Sequence, residues 1–250
     1  MDLALAAVAL APGLALGSFL NVVAARVPLH RSLVWPGSAC MSCGHEIAWY
    51  DNIPLVSWLA LRGRCRSCAE RIPYRYPLVE LVTALLVAGC VWKFGPTADA
   101  ALAAFFCLVL VAVSAIDLEH LIIPNRIVLP AAAVVLAANT ALHPSPEWIL
   151  GAVGASGFLF AAALAYPRGM GMGDVKLALL MGAMLGRTVP VALMVGMLAA
   201  IVPGIVLIAR HGSAGRKMRI PFGPFLALGA VVALFAGPAI LHVYWGIGRS

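Results

Sequence analysis

The chain has 250 residues, 63% of them hydrophobic and 11% charged, with a mean hydropathy of +0.99. A soluble domain is about half apolar and a quarter charged, so this composition excludes a soluble globular protein and calls for a polytopic membrane protein. The net charge of +7 suits anionic membrane lipids; no basic stripe is interleaved with aromatics, which argues against a nucleic-acid partner.

Crossing a bilayer as helix takes roughly 17–25 apolar residues. Eight runs answer to that: 2–25, 77–94, 98–116, 126–142, 147–166, 175–188, 189–209 and 221–245. The first has Asp2 as its only early charge, whereas a removable signal peptide carries a basic n-region. It is therefore expected to stay as an uncleaved span. The sixth run is short, and Gly186, Arg187, Thr188 and Pro190 divide it from the seventh.

The expected fold class is an all-α polytopic membrane protein of eight transmembrane helices, with a small cytoplasmic four-cysteine, zinc-type module between helices 1 and 2. The expected boundaries are 1–25 for the first helix, 26–76 for the module and 77–250 for a seven-helix transmembrane catalytic domain. No internal repeat is apparent.

Lysine and arginine mark the cytoplasmic face. Fourteen of the 17 lie in the loops after spans one, three, five and seven; Lys93, Arg187 and Arg249 are on the other side. Both termini are then outside. Tyr244 and Trp245 read as interface anchors.

The polar segment 26–76 holds Cys40-Met-Ser-Cys43 and Cys65-Arg-Ser-Cys68. Paired C-x-x-C knuckles at this separation are the pattern of a tetrahedral four-cysteine zinc site, and soft thiolates suit that metal. A reducing cytoplasm favours metal over disulfides. Four thiolates leave no open position for a reacting water, so the site is expected to be structural. His45, just after the first knuckle, reads as a surface residue. Cys90 and Cys107 each stand alone in an apolar span and read as core packing.

Two acids stand where apolar runs meet cytoplasmic loops. Asp117 ends the third run in Asp117-Leu-Glu-His-Leu-Ile-Ile-Pro-Asn125, and Pro124 biases Ile123 away from helix. Asp174 lies in Gly171-Met-Gly-Asp-Val-Lys176, where glycines admit a neighbouring chain closely. Asp117, with Glu119 and His120, can be read as ordinary interfacial charge, and Asp174 as a helix N-cap. Ionisable groups at membrane depth are costly and tend to be functional, and two carboxyls sharing a proton can activate water. The expected division of labour makes Asp174, at a helix N-terminus, the ionised base and Asp117, at a helix C-terminus, the proton holder. Lys176 supports the charge on Asp174. Glu80 is expected to pair with a cation such as Arg75, and Asn21 and Asn125 to order cytoplasmic-edge hydrogen bonds or cap helices.

The ordered set of motifs resembles the type IV prepilin peptidases, a family of GxGD-type aspartyl proteases. It runs from Gly17-Ser-Phe-Leu-Asn-Val-Val23 and Arg26-Val-Pro28 through both knuckles and Arg75-Tyr-Pro-Leu-Val-Glu80. It continues with Asp117, Ile123-Pro-Asn125 and Gly171-Met-Gly-Asp-Val-Lys176, and closes on Ile220-Pro-Phe-Gly-Pro-Phe-Leu-Ala-Leu-Gly229. The resemblance implies an enzyme of the bacterial cytoplasmic (inner) membrane. Such an enzyme cleaves the basic leader from prepilins or pseudopilins of type IV pilus and type II secretion systems. Many relatives then N-methylate the new terminus with S-adenosylmethionine.

By this likeness Asp117 and Asp174 are catalytic, with Gly171, Gly173 and Lys176 as the supporting loop. Cys40, Cys43, Cys65 and Cys68 are the metal ligands. Gly63 and Arg64 match positions tied to methyl transfer, although lysine is common where Arg64 stands, and the two cations differ in geometry. Rival readings are a proton-coupled transporter, against which no two-fold sequence symmetry or mid-span acid appears, and a non-enzymatic zinc-module scaffold.

Overall fold

A computed structural model describes residues 3–166, 170–212 and 220–247, with side chains through Val243. Arg168, Arg216, Lys217, Arg219 and Arg249, and the side chains of Tyr244 and Trp245, lie outside the described residues. The helices are α1 (Leu3–Arg26), α2 (Val56–Ala60), α3 (Arg75–Phe94), α4 (Ala98–His120), α5 (Asn125–Leu142), α6 (Glu147–Ala165), α7 (Met172–Leu185), α8 (Val189–His211) and α9 (Gly223–Ile247). Two short 3-10 turns, Trp49–Asn52 and Gly186–Thr188, accompany them. No strand is present among the described residues, only two isolated β-bridges.

Among the described residues seven stretches are long and apolar enough to span a membrane, one of them the 40-residue Met172–His211. That stretch is itself two helices, divided at Gly186 (φ 51) where the expected break lies. The chain is therefore a multi-pass membrane protein, with eight long helices among the described residues and α2 a short element inside the cysteine module. Helix α4 ends at His120, beyond the expected 116, and α7 begins at Met172, before the expected 175.

The chain divides into two units, Met1–Ala115 and Ile116–Ser250. In the first, α1 packs along α3. A Cβ on Gly13 would fall 2.7 Å from Ala84 Cα, and one on Gly17 2.6 Å from Glu80 Cα. Helices in lipid gain little from hydrophobicity and associate by close backbone approach, which this Gly-x-x-x-Gly pair permits. Asn21 Nδ2 donates to the Tyr76 carbonyl at 3.1 Å and ties the C-terminal end of α1 to the N-terminal end of α3. Arg26, at the end of α1, donates to the carbonyls of Ser32, Pro36 and Gly37 and so holds the start of the module. The buried Glu80, on α3, takes the Leu55 amide on Oε2 at 2.8 Å, anchoring the segment that enters α2.

In the second unit α7 is the central helix, packed by α5, α6 and α9, while α8 pairs mainly with α9. Leu177, Leu180 and Met181 of α7 have no exposed surface. Gly151 of α6 and Gly182 of α7 meet backbone to backbone. Asn139, buried on α5, donates to the Ala183 carbonyl of α7 at 2.9 Å. A buried amide left without a partner in lipid would be costly, so this bond also fixes the register of α5 on α7.

Candidate active site and metal centre

Asp117 stands in the last turn of α4. That helix stops because Leu121 takes a left-handed φ of 53° and closes its N–H onto the Asp117 carbonyl at 2.9 Å. Pro124 then holds the chain extended until α5 begins at Asn125. Asp174 lies in the first turn of α7, at its third residue, not at the N-cap as expected. Gly171 is the cap residue. The Asp174 side chain reaches back and Oδ2 accepts the Gly171 N–H at 3.1 Å, the acid half of a capping box. That bond draws Met172 and Gly173 into the helix, so only Gly171 of the two glycines lies outside it.

Both acids are buried, Asp117 5% and Asp174 8% exposed. They are near enough for their charges to act on one another. Asp117 Oδ2 accepts the Gly223 N–H at 2.8 Å. Gly223 is the first residue of α9, so Asp117 also faces a helix N-terminus. The helix-end contrast expected to separate the two acids is thus removed, since each carboxylate holds one amide from the start of a helix.

Three motif segments converge here. A Cβ on Gly223 would fall 2.8 Å from Asp117 Oδ2. One on Gly173 would fall 2.8 Å from Ile123 Cβ. Lys176 Nζ donates to Asn125 Oδ1 at 2.8 Å, so the lysine is tied to the α5 start. Asn125 makes a hydrogen bond at the helix edge, one of the two roles expected of it, whereas the contacts of Ile123 and Gly223 go beyond the expected roles. The signal was the recurrence of Ile-Pro before Asn125 and before Phe222, each leading into a helix. His120 lies 3.9 Å from Glu119 across the exposed end of α4.

The second site is the cysteine module. Each knuckle repeats one backbone pattern. The Cys40 and Cys65 amides donate to His45 and Glu70 carbonyls, and the Gly44 and Ala69 amides return to Cys40 and Cys65. Ile47 and Ile72 donate to Ser38 and Gly63. Both turns need a left-handed residue, Gly44 (φ 71) and Ala69 (φ 57). Residues 38–47 and 63–72 are thus a structural repeat, read in hindsight as C-x-S-C followed four residues later by isoleucine. Only a few residues of each copy are identical, so the repeat lies in the backbone more than in the sequence.

The four sulfurs of Cys40, Cys43, Cys65 and Cys68 lie within 4.8 Å of one another, with Cys40 and Cys68 3.8 Å apart. Four sulfurs each about 2.3 Å from a tetrahedral centre stand about 3.8 Å apart, so the cluster has the size to hold a metal ion. His45 is not part of it. Amides of Cys43 and Ser42 hold the Cys40 thiol down at about 6. Cys68 is pushed up to about 12: the Glu70 amide favours its thiolate, but desolvation and the crowding of Cys43, Cys65 and Cys40 outweigh that.

Gly63 is buried, with φ 66 and the Trp58 ring 2.9 Å from where a Cβ would stand. Trp58 Nε1 in turn donates to the Ile72 carbonyl at 3.2 Å. Arg64 is exposed. Asp51 is held well below the usual carboxylate range by its bidentate bond to Arg66, at 2.7 and 2.6 Å.

Residues 12–94 match the bacterial peptidase A24 N-terminal domain, and residues 104–209 the type IV leader peptidase family. A prepilin leader peptidase/N-methyltransferase of Pseudomonas aeruginosa is 38% identical over 93% of this chain and 90% of its own length. One of Bacillus subtilis, with the same description, is 37% identical over 93% and 94%. A third, of Myxococcus xanthus, is 42% identical over 82% of this chain; the match spans 64% of that longer relative. No solved structure matches the chain.

Proposed function

The chain belongs to the type IV leader peptidase family, and from that premise we propose that it is an intramembrane aspartyl endopeptidase whose catalytic pair is Asp117 and Asp174. The observation that carries this reading is the burial of both acids in one unit, within reach of each other's charge and each oriented by a backbone amide. Its substrates are prepilins, as the relatives' descriptions suggest, or the pseudopilins of type II secretion systems that the motif resemblance implies, and the product is the chain without its leader.

In the mechanism the pair shares a proton. One carboxylate takes a proton from the attacking water, and the other, protonated, polarises the scissile carbonyl; no acyl-enzyme forms. Protonation belongs to the pair as a unit. Gly223 N–H and Gly171 N–H fix the two carboxyl planes, so little reorganisation is needed as charge moves. Gly171, Gly173 and Lys176 support the site. Glycine at 173 lets Ile123 close on α7, and Lys176 holds Asn125 at the start of α5.

The charge bias of the loops supports a reading in which the aspartate pair lies at the cytoplasmic face, with both termini outside, and the family resemblance implies the bacterial inner membrane. The module of residues 26–76 would then be cytoplasmic, with zinc held by Cys40, Cys43, Cys65 and Cys68. Zinc would supply a closed, structural cross-link for a segment with little core.

The relatives' descriptions extend the proposal to N-methyl transfer, with the new terminus as acceptor and S-adenosylmethionine as donor by the motif resemblance. Of the two residues matched to that activity, Arg64 is exposed and available to a ligand, whereas Trp58 covers Gly63. The role of Gly63 is then to shape the knuckle.

Mass spectrometry of a co-expressed prepilin tests both activities: leader loss reports the protease, and an added methyl reports the transferase. Asp117→Asn and Asp174→Asn are expected to abolish leader loss while the protein still inserts. Full cleavage by either purified variant would remove the carboxylates from the mechanism.

A further inference from the structure

Cys90 and Cys107, solitary in the sequence, meet in the first unit. Cys90 lies near the end of α3 and Cys107 within α4, with the turn at Gly95–Thr97 between the helices. Their sulfurs are 3.9 Å apart, and the side chains are free thiols with 0% and 1% exposure. Core packing accounts for the burial of a single cysteine. It gives no reason for two from different helices to place sulfur against sulfur.

We propose that Cys90 and Cys107 form a cross-linking site, whose oxidation to a disulfide staples α3 to α4. The sulfurs need to close by about 1.9 Å to reach bonding distance, a movement on the scale of small side-chain rotations. Two S–H bonds break, one S–S bond forms, and two electrons and two protons pass to the oxidant. Burial among apolar side chains restricts that oxidant to a small apolar molecule, of the class of lipid-soluble disulfides or quinones. Under the orientation given by the loop charges, the α3–α4 turn faces the outer side, where disulfides persist. The four-cysteine cluster is at the opposite end of α3. The inference does not depend on the proteolytic reading.

The test treats the purified full-length protein, zinc-loaded and in lipid nanodiscs, with 4,4′-dithiodipyridine, an apolar disulfide. One thiolate displaces a thiopyridone to give a mixed disulfide, and the second thiol displaces the other thiopyridone. Non-reducing peptide mass spectrometry is expected to find Cys90 joined to Cys107, with no pyridyl adduct at either. The melting temperature should rise by several degrees and fall back on reduction with dithiothreitol. Cys90→Ser and Cys107→Ser should each retain a pyridyl adduct at the remaining thiol and show no such rise. Stable adducts on both cysteines of the unsubstituted protein, a cross-link from either to a knuckle cysteine, or two thiols unreacted after prolonged treatment would each overturn the proposal. The unsubstituted protein alone decides the matter, so misfolding of a variant leaves the outcome intact.

Discussion

Ile123 packs against the bare Cα of Gly173, so that a methyl group at 173 would stand 2.8 Å from Ile123 Cβ. The contact joins the segment after Asp117 to the helix that carries Asp174, and the Lys176–Asn125 bond repeats the junction one turn farther along. The position of one acid relative to the other is set through these two contacts, together with the amide of Gly223.

Gly173→Ala is expected to lower the rate of leader removal at least tenfold, because an overpacked contact costs about 1–3 kcal/mol and here displaces the helix end that carries Asp174. Trimming the opposing side chain, in Gly173→Ala with Ile123→Ala, should restore part of the loss. The comparison is a double-mutant cycle on cleavage rate. An additive double variant would show that the two residues do not act through each other.

Gly223→Ala places a methyl 2.8 Å from Asp117 Oδ2. Since the glycine N–H is also the donor to that oxygen, the substitution should push the carboxylate off its amide. Cleavage should fall by tenfold or more, with a much smaller change in melting temperature. A variant of unchanged activity would show that this amide does not orient the acid.

The cysteine cluster should bind one zinc ion per chain, and Cys→Ser at any of the four positions should lower its retention. Binding is expected to strengthen as pH rises, because the metal needs four thiolates and the apo cluster holds protons, Cys68 being pushed up to about 12. The sign follows from proton competition: metal binding displaces the protons that the free thiols hold, and acidification returns them, so binding weakens as pH falls. Zinc measured after equilibration across pH checks this, and retention that does not weaken on acidification would remove thiolate ligation.

Gly63→Ala and Arg64→Ala should separate folding of the module from chemistry. The first meets the Trp58 ring in a left-handed backbone and should lower zinc retention. The second alters an exposed side chain and should leave zinc and melting temperature unchanged while reducing the methylated fraction of cleaved pilin. An unaltered methylated fraction would place the transferase elsewhere.

Several of these relationships were open to the sequence, and others were closed to it for a physical reason. Apolar runs report lipid-facing helices directly, because a helix in lipid must be covered along its whole length. The break at Gly186–Thr188 and the stop before Pro124 were likewise readable, since each depends on local backbone chemistry. Knuckle spacing revealed the four-cysteine module because the ligands come in two local pairs.

Composition, spacing and ordered motifs by themselves determined a polytopic helical membrane protein, its cysteine module and two acids at helix ends. Only the tertiary structure decided what those acids lean on, because Gly223 reaches Asp117 from 106 positions away and no local period encodes such a contact. The same holds for Cys90 against Cys107 and for Gly13 and Gly17 against α3. A side chain's own sequence reports its preference for lipid, water or a turn, whereas its partner is chosen by how helices pack.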